Sequence, residues 1–308
     1  MPAVTVRVPA TSANLGSGYD SFGLALGLYN TVSAELAVNG DWHVQVIGEG
    51  EGDPALATDN RVVTGMVRLF AEAGRPDLGA RVFCRNEVPI GRGLGSSSAA
   101  LVGGLVAANE LLGRPLGERE LFQAAAELEG HPDNVAAALV GGFTLCWTDG
   151  GVAFARIEPA AGLAAVCVVT DAPLSTAKAR ELLPPTVPHD DAAFNVGRAG
   201  LLTAGVALGR RDLIGPGMCD RLHEPYRLAA VPDLDAVAEA LAVAGADGAA
   251  LSGSGPTVIG LVSDADDDAA FARALDVAAR AAELLAGVPG RRPPIVVPID
   301  RAGATLTT

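Results

Sequence analysis

Lysine is almost missing from this chain. Lys178 is the only one among 22 basic residues, which face 36 acidic residues for a formal charge of −14. A nucleic-acid-binding protein carries a basic footprint, so no nucleic acid is expected as a partner, and no anionic membrane either. The shortage also excludes a Walker phosphate loop, whose pattern closes on Gly-Lys-Ser/Thr. Any anion site must use arginine, backbone N–H groups or a metal. Cysteine is scarce as well. Cys84, Cys146, Cys167 and Cys219 include no C-x-x-C pair, so neither a zinc site nor a redox pair is expected. All four read as reduced core residues of a cytoplasmic protein. No apolar run approaches the roughly 20 residues of a membrane span. The opening MPAVTVRVPATSANLG has no charged head followed by an apolar stretch, so no secretory signal is expected there.

What is present is a globular composition. Of 308 residues, 49% are hydrophobic and 19% charged, too apolar for disorder and long enough for two domains of about 100–200 residues each. Strands are expected at Val4–Val8, Val44–Ile47, Arg81–Cys84, Ala164–Thr170, Ala249–Leu251, Val258–Val262 and Ile295–Pro298. Phe143–Trp147 and Val152–Ile157 read as a hairpin. Helical spacing marks Asn60–Ala73, Ala99–Leu112, Leu121–Leu128, 175–183, 192–208, 233–244 and Ala269–Leu285. The elements interleave without a regular βαβ order, which points to α+β. The expected division is 1–155 and 156–308.

The most informative segment is Gly91-Arg92-Gly93-Leu94-Gly95-Ser96-Ser97-Ser98. Alternate glycines let backbone turn tightly and approach a ligand. The serines then open a helix, whose N-terminus offers unpaired N–H groups and a partial positive charge. Together these form a phosphate cradle. A plain turn with Ser97 or Ser98 as helix cap is the simpler reading. Hydroxyls at this place also suit Mg²⁺, which takes one or two carboxylates plus phosphate and water. Glu127 and Glu129 end the next helical stretch and are the candidate carboxylates.

Three separated blocks resemble the GHMP kinase superfamily: Pro9-Ala10-Thr11-Ser12-Ala13-Asn14-Leu15-Gly16 running on to Asp20, Pro89-Ile90 with the glycine loop through Ser98, and Leu251 to Thr257. Within it, the first block, Gly130 to Val135, Ser175 to Arg180 and Asp220 to Arg227 are similar to the homoserine kinase branch. The resemblance runs from about residue 4 to 262.

That resemblance implies a two-domain fold: an N-terminal domain with a left-handed βαβ unit, and a ferredoxin-like C-terminal domain. It also implies transfer of phosphate from ATP, with Mg²⁺, to the hydroxyl of L-homoserine. The family positions fall on Arg180 and Arg227 for the substrate carboxylate, with Thr176 one turn before Arg180. Asn14, Asp20, His131 and Asp133 surround the substrate, and Asn134 touches the reacting hydroxyl. Pro89, Ile90, Gly91, Arg92, Gly93, Leu94, Gly95, Ser96, Ser97 and Ser98 follow the nucleotide, with Asn60 at the adenine or serving as a helix cap. Ser97 and Glu127, preferred over Glu129, would hold the metal. No general base stands out. The family leaves the proton to the γ-phosphate, with Asp133 as the alternative acceptor. A homodimer is an expectation from the same source. A kinase of another branch acting on mevalonate or shikimate, and a non-catalytic amino-acid sensor, are the competing readings.

Overall fold

The computed structural model describes residues 3–37, 40–171, 176–231 and 233–307, leaving aside the side chain of Ala57. Ser175, named in one motif, lies outside them. The first unit runs β1 (Val4–Ala13), β2 (Phe22–Leu36), β3 (His43–Gly48), α1 (Pro54–Thr58), α2 (Arg61–Glu72), β4 (Ala80–Asn86), α3 (Ser96–Leu111), α4 (Glu118–Glu129), α5 (Asp133–Val140), β5 (Phe143–Thr148) and β6 (Val152–Ile157). The second runs β7 (Leu163–Val168), α6 (Thr176–Glu181), α7 (His189–Leu208), α8 (Arg211–Met218), α9 (Glu224–Leu228), α10 (Leu234–Ala244), β8 (Gly248–Leu251), β9 (Val258–Ser263), α11 (Asp267–Leu284) and β10 (Ile295–Pro298), followed by β11 (Thr305–Thr307). The fold is α+β, as its sequence pattern indicated.

In the first sheet the order is β11-β1-β2-β4-β3, with β5 and β6 added along β2. β3 and β4 pair in parallel and are joined through α1 and α2. β11 pairs with β1, so the chain's tail returns to the first unit, a feature that a cut at 155 does not convey. α3 is the central helix. Its buried residues fall on every side, as befits a helix packed all round. Gly104 lets α2 come close, because a Cβ there would lie 2.0 Å from the Val62 carbonyl oxygen. α2 shows why its residues form a helix. Asn60 caps it by accepting from the Val62 N–H at 2.9 Å. Val62, Met66, Leu69 and Phe70 then recur on one buried face.

The second sheet is antiparallel in the order β10-β7-β9-β8. With helices between β7 and β8 and α11 between β9 and β10, it has the ferredoxin-like arrangement. β7 is buried along its whole length, and the period-two alternation of a strand shares it between two cores. Ala164, Val166 and Val168 pack under α10 and α11. Leu163, Ala165, Cys167 and Val169 pack with Leu24, Leu26 and Leu94 of the first unit. One apolar layer thus joins the two sheets and fixes the cleft between them.

Cys84, Cys146 and Cys167 are buried free thiols, and burial pushes Cys84 up to about 11 and Cys167 to about 12. Cys219 corrects the expectation of four core cysteines. It is exposed, in the turn that follows α8.

Candidate active site

Five segments meet where the sheets face each other and enclose a cavity of about 140 Å³. They are the turn after β1, the glycine loop, the α4–α5 connection, the helices α6 and α9 taken together as one, and the loop between β8 and β9.

The glycine loop is shaped by Gly95, which sits in the left-handed region at φ +67 and is the residue before α3. A Cβ there would also lie 1.8 Å from Thr11 Oγ1, so only glycine fits. The helix begins at Ser96, so neither Ser97 nor Ser98 is its cap. The first-turn N–H groups consequently face the cleft without intrahelical partners. Gly91, Arg92, Gly93, Ser96, Ser97 and Ser98 line the cavity with Gly95. Pro89, Ile90 and Leu94 do not. Leu94 points into the shared core, and its carbonyl accepts from the Thr11 N–H at 3.1 Å. Among the described residues, the buried Nε of Arg92 has no acceptor.

Glu129, rather than Glu127, stands at this loop. Its carboxylate accepts from Ser98 Oγ at 2.9 Å and Ser97 Oγ at 3.2 Å, and Arg61 pairs with it. Glu127 pairs with Arg68 at 2.6 Å and Gln123 at 2.8 Å on the outer surface. Two residues apart on a helix are about 200° apart around it, so only one of the two can face the loop. Asn60 also lies outside the cavity lining. Its oxygen caps α2 and its NH₂ donates to the Leu56 carbonyl at 3.0 Å, so it serves as the helix cap.

Across the cavity the expected substrate residues come together: Asn14, Asp20, His131, Asp133, Asn134, Thr176, Arg180 and Arg227 all line it. Asp133 opens α5 and is buried. Burial pushes its carboxyl pKa up, while His131, whose Nδ1 lies 3.7 Å away, opposes this. Asn134 Oδ1 accepts from Thr11 Oγ1 at 2.7 Å. Asn14 has φ 66. Its amide braces the site, donating to the Gly253 carbonyl at 2.7 Å and accepting from the Asp20 N–H at 2.9 Å. Arg180 and Asp20 form a two-bond fork at 2.7 and 2.9 Å, and Arg180 also donates to Tyr19 Oη at 3.2 Å.

Arg227 differs from Arg180. It is 2% exposed and donates to three neutral acceptors: His223 Nδ1 at 3.1 Å, the Gly253 carbonyl at 3.3 Å and the Ala179 carbonyl at 3.4 Å. Among the described residues no carboxylate pairs with it. Burial pushes its pKa down, but a guanidinium stays charged. Buried charges are normally paired, so a buried cation facing a cavity marks an anion site. Sequence reasoning passed over Thr11, Tyr19 and His223 as site residues. Each lies inside a quoted motif, and no spacing rule distinguishes it there.

A glycine loop at a helix N-terminus and a buried arginine, set across one cleft between these two sheets, define a small-molecule kinase of the GHMP class. The family model for the GHMP kinases N terminal domain matches residues 60–142, and that for GHMP kinases C terminal matches 202–279. The homoserine kinase of Moorella thermoacetica is 45% identical over 255 residues, 82% of this chain and 86% of that protein. That of Streptomyces coelicolor is 47% identical over 269 residues, 86% and 85% of the two chains. The crystal structure of homoserine kinase from Cytophaga hutchinsonii superposes with a TM-score of 0.88 at 28% identity, covering 100% of this chain and 98% of that one. This chain belongs to the homoserine kinase family.

Glu224, the first residue of α9, generates a pH prediction. Its carboxyl is buried, accepts from the Leu251 N–H, and is pushed up to about 8 by burial. An unfolded Glu titrates at about 4.3, so between these values the folded chain keeps a proton that the unfolded chain has lost. This contribution to stability is full below about pH 4 and is lost as pH rises to about 8, by at most about 1.4 kcal/mol per pH unit. Thermal melts of wild type and Glu224→Gln across this range should diverge, with the variant losing less stability on the alkaline side. Parallel curves would contradict the assignment.

Proposed function

We propose that this chain transfers the γ-phosphoryl group of ATP to the hydroxyl of L-homoserine, giving O-phospho-L-homoserine and ADP. The observation that carries this reading is Arg227, a buried guanidinium whose Nη2 has no acceptor among the described residues, in the same cavity as the glycine loop. An amino-acid carboxylate fits that vacancy, since an Nη2 hydrogen can donate a charge-assisted bond to a carboxylate oxygen. Asp133 and Asp20 supply negative charge for the ammonium.

The N–H groups at the start of α3 and the Arg92 side chain hold the phosphates. Asn134, held by Thr11, lies beside the reacting hydroxyl. Phosphoryl transfer has a loose transition state, so positioning and charge stabilisation supply most of the rate. A bond forms from the hydroxyl oxygen to the γ-phosphorus as the bond to the bridging oxygen of ADP breaks. We assign the hydroxyl proton to the transferred phosphoryl group. Asp133 is engaged by the ammonium, whose charge lowers its pKa and makes it a poor base.

Mg²⁺ belongs to the same proposal. Among the described residues no three His, Cys, Asp or Glu side chains group as a metal site. One carboxylate, Glu129, meets two hydroxyls, Ser97 and Ser98. That sparse set of hard oxygens fits Mg²⁺ completed by phosphate and water. When bound, the ion neutralises phosphate charge. Among the described residues no helix is long and apolar enough to cross a membrane, and we place the enzyme in the cytoplasm.

An ADP-release assay with ATP and Mg²⁺ across L-homoserine, D-homoserine, mevalonate and shikimate should give turnover with L-homoserine alone. Turnover with mevalonate or shikimate instead would overturn the roles of Arg227 and Asp133. In the same assay, Glu129→Gln should raise the Mg²⁺ concentration for half-maximal rate by roughly tenfold or more. Glu127→Gln should leave it within about twofold, and the reverse order would return the metal to Glu127.

A further inference from the structure

Arg227 is aimed by a residue that the chemistry above does not use. His223 is the N-cap residue of α9, one helical turn before Arg227, and it is fully buried. Its Nε2 lies 2.8 Å from the Gly16 carbonyl oxygen. A carbonyl only accepts, so Nε2 carries the hydrogen. In the neutral ring Nδ1 is then a bare lone pair. Arg227 Nη1, which only donates, lies 3.1 Å from it. Every polarity in the chain Gly16–His223–Arg227 is therefore fixed.

The surroundings keep the ring in this state. Burial pushes His223 down to about 4, against the pull of Asp220, whose Oδ2 lies 3.8 Å from Nε2. Asp220 is occupied with the backbone: it accepts from the N–H groups of Leu222, His223 and Glu224 at 3.1, 2.8 and 2.8 Å, and from Asn195 at 2.6 Å. The Tyr19 ring stacks on the imidazole at 5.2 Å, and the Arg227 guanidinium lies 5.4 Å from that same ring. Asp20, Arg180 and, once ionised, Glu224 are the other charged groups acting on this cluster.

We propose that His223 is a positioning residue that turns Arg227 toward the substrate carboxylate. Its Nδ1 and the Gly253 carbonyl take both Nη1 hydrogens, and the Ala179 carbonyl takes Nε. Nη2 is left for the ligand. A neutral acceptor suits this task because it orients the guanidinium without neutralising it. A carboxylate at the same place would pair with Arg227 and compete with the substrate. This role rests on the homoserine reading of the site.

Two variants separate orientation from scaffolding. His223→Gln keeps a donor within reach of Gly16 and removes the Nδ1 acceptor. His223→Asn puts an amide oxygen near the Nδ1 position. His223→Gln should raise KM for L-homoserine on the order of tenfold or more, the worth of one hydrogen bond to a charged group. KM for ATP should stay within about twofold, and His223→Asn should recover most of the loss. A similar rise in both KM values, no rise in either, or an Asn variant as impaired as the Gln variant would overturn the proposal. Wild-type protein gives an independent reading that needs no variant to fold. Imidazole nitrogen NMR should show one of the four histidines neutral, with its proton on Nε2, from about pH 5 to about pH 8. Ordinary titration of all four would overturn the role of His223. If wild-type enzyme turns over no L-homoserine, the functional reading fails separately, and the NMR result still decides the state of His223.

Discussion

The site depends on a positive charge held out of water without a negative partner. Removing one member of a buried ion pair leaves an uncompensated charge, at a cost of about 3–5 kcal/mol. Arg227 resembles that half-pair by construction. Two carbonyl oxygens and one imidazole nitrogen offset part of the cost with their partial charges. The remainder is a standing preference for an anion in the cavity. The acceptors come from distant segments: Ala179 in α6, Gly253 in the loop after β8, and His223 at the head of α9. His223 is tied in turn to the Gly16 carbonyl of the first unit, so segments of both units keep Arg227 in place.

Opposite Arg227, the glycine loop solves a different electrostatic problem with backbone alone. A net charge of −14 repels a nucleotide at long range, and the chain has almost no lysine to oppose it. Local dipoles at the start of α3, with Arg92, supply the attraction where it is needed. The two ends are tied to each other through the first motif. Thr11 reaches both the loop, through Leu94, and Asn134. Asn14 reaches the third motif through Gly253, whose carbonyl also accepts from Arg227. Asp20 and Arg180 neutralise each other across the cleft mouth, which is why we assign the substrate carboxylate to Arg227.

Much of this was legible in the sequence for physical reasons. Glycine at 91, 93 and 95 followed by serines encodes backbone shape, and shape is what the phosphate cradle is made of. The spacing of apolar residues marked the extents of α2 and α11, although the face of α2 that is buried carries Val62, Met66, Leu69 and Phe70 while Val67 is exposed. Other elements gave no such signal. β2 is fifteen residues long, yet its N-terminal half is buried on both faces and contains Gly23 and Gly27, so it does not alternate. α5 has eight residues, three of them alanine, too few to show a period. Pro216 and Pro225 hid α8 and α9. β11 has three residues and exists only because β1 is there to pair with. The choice between Glu127 and Glu129 was likewise beyond local pattern. Both end α4, and which one meets Ser97 and Ser98 depends on how the helix is rotated against α3, which tertiary packing sets.

The account turns on Arg227 as an anion site built for a carboxylate. The most direct test is calorimetric titration of L-homoserine into wild type and Arg227→Leu, both checked for folding by circular dichroism. The account predicts binding to wild type and an affinity loss of roughly a hundredfold or more in the variant, the equivalent of about 3 kcal/mol. Equal affinity in the two proteins would contradict it.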